Sequence, residues 1–183
     1  MAAKFIRGLP LIEAPVTRLL ILGSMPGQES LLRQQYYAHP RNTFWFIIGE
    51  LLGIDSTIEY QERLQIIREK HISLWDVIEN CIRPGSLDGN IVNSSEKANN
   101  IKYFYRRHPE LEAIAFNGRK ARQSFTTHFL RRDPQLWQKL ILLDLPSTSP
   151  AHATLRPQEK SGLWQAKLTP FLSRNQHSKQ IGN

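Results

Sequence analysis

The fold is decided by the stretch Arg18-Leu-Leu-Ile-Leu-Gly-Ser-Met-Pro-Gly27, which is followed by Tyr36-Tyr-Ala-His-Pro-Arg-Asn-Thr-Phe-Trp45 and an apolar segment. Leu19 to Leu22 form a short run without polar residues, as expected of a parallel strand that is buried on both faces. Gly23, Pro26 and Gly27 then force a tight loop, because glycine tolerates unusual backbone angles and proline fixes φ. Ligands of open α/β sheets bind outside the carboxyl ends of the strands. This stretch therefore predicts a buried strand that ends in a binding loop.

The pattern outside this stretch repeats the alternation of strands and helices. Apolar runs predict strands at 18–23, 72–78, 111–116 and 140–145. Helical spacing of apolar residues predicts helices at 43–52, 56–70, 96–107, 120–130 and 157–168. We expect residues 1–17 to form an extended arm and residues 174–183 a frayed tail. The alternation predicts a single α/β domain, a three-layer α/β/α sandwich around a four-stranded, mostly parallel sheet.

The charge of the chain indicates a polyanionic partner. Its 183 residues carry a net charge of +8, and the pI is near 9.9. Nucleic acid or an anionic membrane surface are the partners that such a charge favours, although a merely basic surface gives the same composition. No run approaches the roughly 18 apolar residues of a membrane span, and the N-terminus lacks the apolar core of a signal peptide. We expect a soluble, cytoplasmic protein that does not bind a membrane.

The cysteine content excludes several kinds of site. Cys81 is the only cysteine, so neither an intrachain disulfide nor a cysteine-ligated zinc or iron–sulfur site can form within one chain. We expect no metal and no other cofactor. We also expect the protein to act as a monomer.

Polar segments follow each predicted strand and should meet at the carboxyl edge of the sheet. They are 23–27, 82–90, 117–120 and 146–153. Glycine, serine, threonine, asparagine and proline dominate them, and such loops let backbone N–H groups approach a phosphate. The same residues also form ordinary turns. Four such loops on a basic chain favour a ligand that carries phosphate.

Two of these motifs resemble a known family. Gly23–Gly27, followed by Tyr37–Trp45, resembles the first motif of the uracil-DNA glycosylase superfamily, and the Ala-His-Pro-x-Asn-x-Phe-Trp portion is similar to the mismatch-specific uracil-DNA glycosylases. Gly-Ser-x-Pro-Gly together with Leu145–Ala151 more closely resembles the DNA-deoxyinosine (hypoxanthine-DNA) glycosylase branch. The resemblance covers roughly residues 17–170.

The resemblance implies a four-stranded α/β/α fold and a monofunctional DNA glycosylase of base-excision repair. Such an enzyme would bind DNA that contains a deaminated base, flip that base out and hydrolyse its N-glycosidic bond, with hypoxanthine preferred. A mismatch-specific uracil/thymine-DNA glycosylase and a catalytically silent DNA-binding relative are the alternatives.

The catalytic residue departs from the pattern of the superfamily. Met25 stands where the mismatch-specific uracil enzymes have an asparagine that positions the attacking water and where other branches have aspartate. A thioether neither polarises water nor accepts its proton. In the deoxyinosine branch an asparagine of the His-Pro-Arg-Asn segment is implicated, and this maps to Asn42. The residue pattern leaves a second role open, because an asparagine before Thr-Phe-Trp also caps a helix.

The resemblance also implies which residues hold the base and the DNA. Tyr37 would stack on the flipped base, unless its ring packs under the loop. The other base-binding candidates are Gly23, Ser24, Met25 and Asn117. The DNA-binding candidates are Ser147, Thr148, Ser149, Pro150, His152, Arg83, Arg119 and Lys120. The Ser-Thr-Ser-Pro loop would press on the DNA backbone and fill the vacated stack, and the cationic side chains would bind phosphates.

Two other classes of protein fit parts of the sequence. A serine hydrolase could use Ser147 or Ser149 with His152 and Asp76, but the Gly-x-Ser-x-Gly elbow is absent. A nucleotide-binding module could use Gly23–Gly27, but neither Gly-Lys-Ser/Thr nor Gly-x-Gly-x-x-Gly is present.

Overall fold

The computed structural model describes residues 5–172, so the predicted frayed tail at 174–183 lies outside the described residues. The strands are β1 (Phe5–Arg7), β2 (Leu19–Gly23), β3 (Ile72–Asp76), β4 (Ile78–Ile82), β5 (Lys97–Ala98), β6 (Ala113–Asn117) and β7 (Ile141–Leu145). The α-helices are α1 (Gln28–Arg33), α2 (Phe44–Leu52), α3 (Tyr60–Glu69), α4 (Ile101–Arg107), α5 (Arg119–Phe125) and α6 (Pro157–Leu172). A π-helical segment, Thr126–Leu130, continues α5.

The four predicted strands form one sheet, in the order β3-β2-β6-β7, and every neighbouring pair is parallel. Parallel pairing brings the carboxyl ends of the strands to one edge. At this edge Gly23 is in register with Asp76, and Asn117 is in register with Leu145. The predicted sheet is confirmed.

Helices cover both faces of the sheet, as predicted. In β2, Leu19 and Ile21 pack with α2, α3 and α6, whereas Leu20 and Leu22 pack with α4 and α5. All four side chains are fully buried, which explains why this strand carries no polar residue. The three-layer α/β/α sandwich is therefore confirmed. No helix within residues 5–172 is long and apolar enough to cross a membrane.

A small second sheet was not predicted. The expected strand at 72–78 breaks at Val77, and its second half, β4, pairs antiparallel with β1 on one side and β5 on the other. Residues 5–17, the part of the expected extended arm that the structure describes, pack against the fold: Ile12 also bridges Leu74, and Leu9 is buried. Local apolar content cannot show that one run serves two sheets, since pairing partners lie far away in the chain.

Several helix boundaries also differ from the predicted ones. The segment predicted as a helix from 96 begins only at Ile101, after β5, and the predicted helix 56–70 begins at Tyr60. The helix predicted over 120–130 is α-helical only to Phe125. The last helix extends to Leu172.

Candidate active site

A cavity of about 520 Å³ lies at the carboxyl edge of the parallel sheet. The loop after β2, the segment before α2, the loop after β4 and the loop after β7 surround it. The residues 23–30, 36–37, 39, 41–42, 76, 86–88, 117 and 147–152 line it. A cavity of this size fits a small ligand, and its position at the strand ends agrees with the sequence prediction.

The carboxyl group of Asp76 lies at the base of this cavity. Asp76 is the last residue of β3 and is buried, and its Oδ2 has no hydrogen-bond partner within the described chain. The neighbouring Gly23 makes room for it, because a Cβ at Gly23 would lie 2.3 Å from Asp76 Oδ1. A buried carboxyl oxygen without a partner is costly unless a ligand satisfies it.

Burial favours the neutral form of the Asp76 carboxyl near pH 7. Burial raises the pKa of its carboxyl to about 8, and the nearby Asp88 raises it further, against a lowering by Arg83. A protonated carboxyl offers one O–H donor and one carbonyl acceptor on the same group. The cavity therefore contains a neutral acid that can both donate and accept a hydrogen bond.

Asp88 is a second acidic side chain in the cavity lining. Its Oδ1 accepts a hydrogen bond from the Ser24 hydroxyl at 2.7 Å. Burial raises the pKa of Asp88, whereas the bond to Ser24 and the charge of Arg83 lower it. Ser24 thus connects the loop after β2 to the loop after β4.

Arg83 stabilises the same two loops and does not lie in the cavity lining. Its side chain is buried, and its guanidinium donates to the carbonyl oxygens of Pro26, at 2.5 Å, and Met25, at 3.4 Å. The expected role in phosphate binding does not fit this placement. The segment around Arg83 is rich in turn residues and contains no feature that predicts a buried guanidinium.

We expect Arg83→Met to lower the free energy of unfolding by about 2 kcal/mol, because two buried carbonyl oxygens lose a charged donor. The matched control is Arg119→Met, whose side chain is exposed and should change stability by less than about 0.5 kcal/mol. Urea unfolding of both variants measures this. Equal stability of the two variants would contradict a structural role for Arg83.

Tyr37 packs under the loop with one face of its ring. It adopts a positive φ of 58°, and its ring stacks on Phe44 with centroids 3.8 Å apart. Its hydroxyl is buried and forms no hydrogen bond within the described residues, although Asn117 lies near enough to interact with it. Burial and the neighbouring Asp76 raise the pKa of Tyr37 well above its usual range, so the hydroxyl stays protonated. Because Phe44 covers one face of the Tyr37 ring, only the remaining surface of that ring can stack on a flipped base.

Asn42 lines the cavity and also binds the first backbone amide of α2. Its Oδ1 accepts a hydrogen bond from the backbone amide of Phe44 at 3.0 Å, and Thr43 is the N-cap residue. One lone pair of the oxygen and both Nδ2 protons remain for a ligand or a water. The two readings of Asn42 left open by the sequence are therefore compatible.

Asn117 holds the loop after β7 in place. Its Nδ2 donates to Thr148 Oγ1, and its Oδ1 accepts from the Thr148 backbone amide, both at 2.9 Å. Thr148 is buried, and its carbonyl accepts from the amide of Thr43. This pair joins β6, the loop after β7 and the start of α2. It uses one of the two Nδ2 protons and one of the two Oδ1 lone pairs of Asn117, so half of the carboxamide's hydrogen-bonding capacity remains for a base edge.

Met25 is buried and packs against the small sheet. Its side chain joins Ile78, Cys81 and Ile91 in a separate apolar cluster, although the residue also borders the cavity. The methionine therefore has a packing role at the place where other branches have a polar residue.

The remaining residues of the loop after β7 lie at the mouth of the cavity. Ser147, Ser149, Pro150 and His152 line it, and the two serine hydroxyls accept hydrogen bonds from amides of their own loop. No hydrogen bond joins either serine to the ring of His152 in the described chain. The serine-hydrolase alternative therefore has no catalytic pair.

Arg119 and Lys120 lie outside the lining of this cavity. Arg119 is exposed at the start of α5. Lys120 forms an ion pair with Glu96 and donates to Asn93 Oδ1 at 2.8 Å. Its charge is already compensated, which weakens the expected contact with phosphate.

Sequence reasoning assigned neither Asp76 nor Asp88 to the glycosylase site, although it named Asp76 as the acid of a possible serine hydrolase and placed 82–90 at the carboxyl edge of the sheet. The available signal was an aspartate that ends an otherwise apolar strand, since the ends of parallel strands meet at the binding edge.

Within residues 5–172, no group of three or more His, Cys, Asp or Glu is placed to hold a metal ion.

Comparison with known proteins gives consistent similarities. The family model of the uracil DNA glycosylase superfamily matches residues 10–172. Proteins named hypoxanthine DNA glycosylase from Methanosarcina acetivorans and Methanosarcina barkeri are 39% and 38% identical over 116 residues, which is 63% of this chain and 72% of each relative. The solution NMR structure of a Methanosarcina acetivorans protein assigned as a uracil DNA glycosylase superposes with a TM-score of 0.71 at 32% identity, over 89% of this chain and 98% of that one. The chain belongs to the uracil DNA glycosylase superfamily.

Proposed function

We propose that this protein is a monofunctional DNA glycosylase that removes hypoxanthine from DNA in base-excision repair. Membership in the superfamily and the names of the two Methanosarcina relatives support a glycosylase with this substrate. The observation that carries the proposal is the buried carboxyl of Asp76, whose Oδ2 has no hydrogen-bond partner among residues 5–172 and which lines a cavity large enough for a nucleobase. The net charge of +8 supports DNA as the partner.

The neutral carboxyl of Asp76 complements the edge of hypoxanthine. Hypoxanthine carries an N1–H donor beside an O6 acceptor. A protonated carboxyl presents an acceptor and a donor in the matching order, so two hydrogen bonds can form at once. An ionised carboxylate would offer only acceptors and would repel O6.

The same group assists bond cleavage. When the glycosidic bond breaks, its electron pair leaves with the base, and the sugar develops positive charge at C1′. A hydrogen bond from Asp76 to the departing base stabilises the negative charge that appears there, and such preorganised donors often supply the largest part of catalysis. A carboxylic acid that burial keeps neutral near pH 7 is suited to this role.

Asn42 positions the water that adds to C1′, and the proton that this water loses neutralises the departing base anion. Its carboxamide lies in the cavity lining, and the bond to Phe44 fixes its orientation while leaving the Nδ2 protons available. No lysine lies in the described lining of the cavity, which supports hydrolysis by water without a Schiff base. We further propose that the protein acts as a cytoplasmic monomer without a metal or other cofactor.

A glycosylase assay on duplexes that carry a single hypoxanthine, uracil, xanthine or mismatched thymine tests the substrate. We expect hypoxanthine to be released fastest. Faster release of uracil would place the protein with the mismatch-specific enzymes. Release of no base, with DNA binding retained, would favour a silent relative.

Two glycine variants in one loop connect the activity to the cavity. A Cβ at Gly23 would collide with Asp76, whereas a Cβ at Gly27 has no atom within 4 Å. We therefore expect Gly23→Ala to reduce hypoxanthine release at least about 100-fold and Gly27→Ala to keep most of the activity. Thermal melting of both variants checks that the fold is intact. Equal activities would contradict a base site beside Gly23.

A further inference from the structure

A second cavity of about 510 Å³ adjoins the first and is not used by the proposed reaction. It lies between α5, the end of β7 and the start of α6. Ser147 and His152 line both cavities, so the loop after β7 separates them. Three cationic side chains border the second cavity, Arg119, Arg122 and Lys160, against one acidic side chain, Asp144.

Lys160 is the first cationic group in this cavity that lacks a counter-charge. Its side chain is nearly buried, with 4% of the residue exposed. Its ammonium donates to the carbonyl of His152 at 2.6 Å, and no carboxylate within residues 5–172 forms an ion pair with it. Burial lowers the pKa of Lys160, as expected when no anion compensates the charge. Buried charges in proteins are normally paired, so this ammonium indicates a missing anion.

Arg122 is the second cationic group at this cavity, and the largely exposed Asp144 compensates its charge only in part. Its Nη1 is buried and has no hydrogen-bond partner within the described chain. Its Nε lies 3.6 Å from Oδ1 of the largely exposed Asp144, and its guanidinium lies over the ring of Phe116, 5.0 Å from the centroid. The guanidinium is thus held in a fixed orientation at the cavity while part of its donor capacity is unused.

We propose that the second cavity binds a backbone phosphate of the DNA strand that carries the flipped nucleotide, with Lys160 and Arg122 as its ligands. The inference rests on the proposed action on DNA, but not on which base is removed. Ammonium and guanidinium groups are the side chains that bind phosphate most strongly. A strand that enters the base cavity and crosses Ser147 and His152 meets this cavity next, and the exposed Arg119 at its rim extends the path.

A scan of methylphosphonate linkages tests the proposal. Each duplex replaces one phosphate near the hypoxanthine with a neutral methylphosphonate, and fluorescence anisotropy measures binding by wild type, Lys160→Met and Arg122→Gln. We expect one linkage beside the lesion at which the neutral group weakens wild-type binding about tenfold and leaves Lys160→Met unaffected. The salt dependence of binding should also decrease by about one phosphate contact in each variant. Lys139→Met, an exposed lysine outside both cavity linings, is the control and should behave as wild type.

The outcomes separate this inference from the proposed function. The scan is repeated with a duplex that lacks a damaged base, so a protein that fails to release hypoxanthine still reports its phosphate contacts. Equal sensitivity of wild type and variants at every linkage would overturn the proposal. Stabilisation of wild type but not Lys160→Met by inorganic phosphate, without any coupled linkage, would indicate a free anion instead and would also overturn it. Because Lys160 also bonds the carbonyl of His152, thermal melting checks its fold, and Arg122→Gln carries the test if Lys160→Met unfolds.

Discussion

Replacing Asp76 with alanine is expected to reduce the rate of hypoxanthine release by about 100- to 1,000-fold, the usual effect of removing one preorganised donor to a developing anion. The expectation follows from the buried carboxyl of Asp76, which lines the cavity and has one oxygen without a hydrogen-bond partner in the described part of the chain. The measurement is single-turnover release from a hypoxanthine duplex at saturating enzyme. Unchanged rates would remove Asp76 from the mechanism.

The Asp76→Asn variant distinguishes a neutral acid from a carboxylate. An amide also offers one donor and one acceptor and stays neutral, so we expect it to keep part of the activity that alanine loses. Wild-type activity should fall as the pH rises through about 8, because the carboxyl then ionises and loses its proton. The asparagine variant should lack this fall. A wild-type activity that rises through the same range would show that the carboxylate is the active form.

The same variant is expected to be more stable than wild type near pH 8. The pKa of this carboxyl is raised from 3.8 to about 8 in the folded protein, so the unfolded chain releases its proton first. The stability of wild type therefore decreases as the pH rises from about 4 to about 8 and is constant above that range with respect to this group. An uncharged amide has no such cost, and urea unfolding of both proteins at pH 5 and pH 8 measures the difference. If the difference in unfolding free energy between the two proteins does not increase from pH 5 to pH 8, this would contradict the raised pKa of Asp76.

The sheet could be predicted because its strands carry their own signal. Leu19 to Leu22 are buried on both faces, so every residue of the run is apolar, and the same holds for the 113–116 part of β6. The run at 72–78 misled because apolar content is the same in either sheet, and only the distant β1 and β5 determine that Ile78 begins a new strand.

The site was only partly predictable, because residue type does not reveal direction. Arg83 and Arg119 look alike in the sequence, yet the guanidinium of Arg83 is buried against Met25 and Pro26 while that of Arg119 is exposed. The sequence predicts that Asn117 reads a base edge, but a threonine 31 residues away takes up half of the hydrogen-bonding capacity of its carboxamide. Such roles depend on contacts between distant loops, which no local pattern records.

The side chain of Asn42 has two roles, since it binds the first amide of α2 and also lies in the cavity lining. Alanine at this position removes both functions. We expect Asn42→Ala to lose about 1 kcal/mol of stability with the cap, and at least about 100-fold in hypoxanthine release with the carboxamide. A serine hydroxyl can also accept from the amide two residues on, although more weakly, and it has a shorter reach, so Asn42→Ser should recover part of the stability and leave the activity low.

For Asn42→Ser we therefore expect urea unfolding to show partly recovered stability while single-turnover release of hypoxanthine stays slow. Recovery of both would mean that Asn42 acts only by holding the start of α2, since its Oδ1 accepts from the amide of Phe44. The attacking water would then have to be positioned by another polar group of the cavity, and Asp88, which also lines it and accepts a hydrogen bond from Ser24, would be the next residue to replace. Divergence would instead assign the water to the carboxamide that precedes α2, and would explain how a chain with Met25 in the first loop can hydrolyse a glycosidic bond.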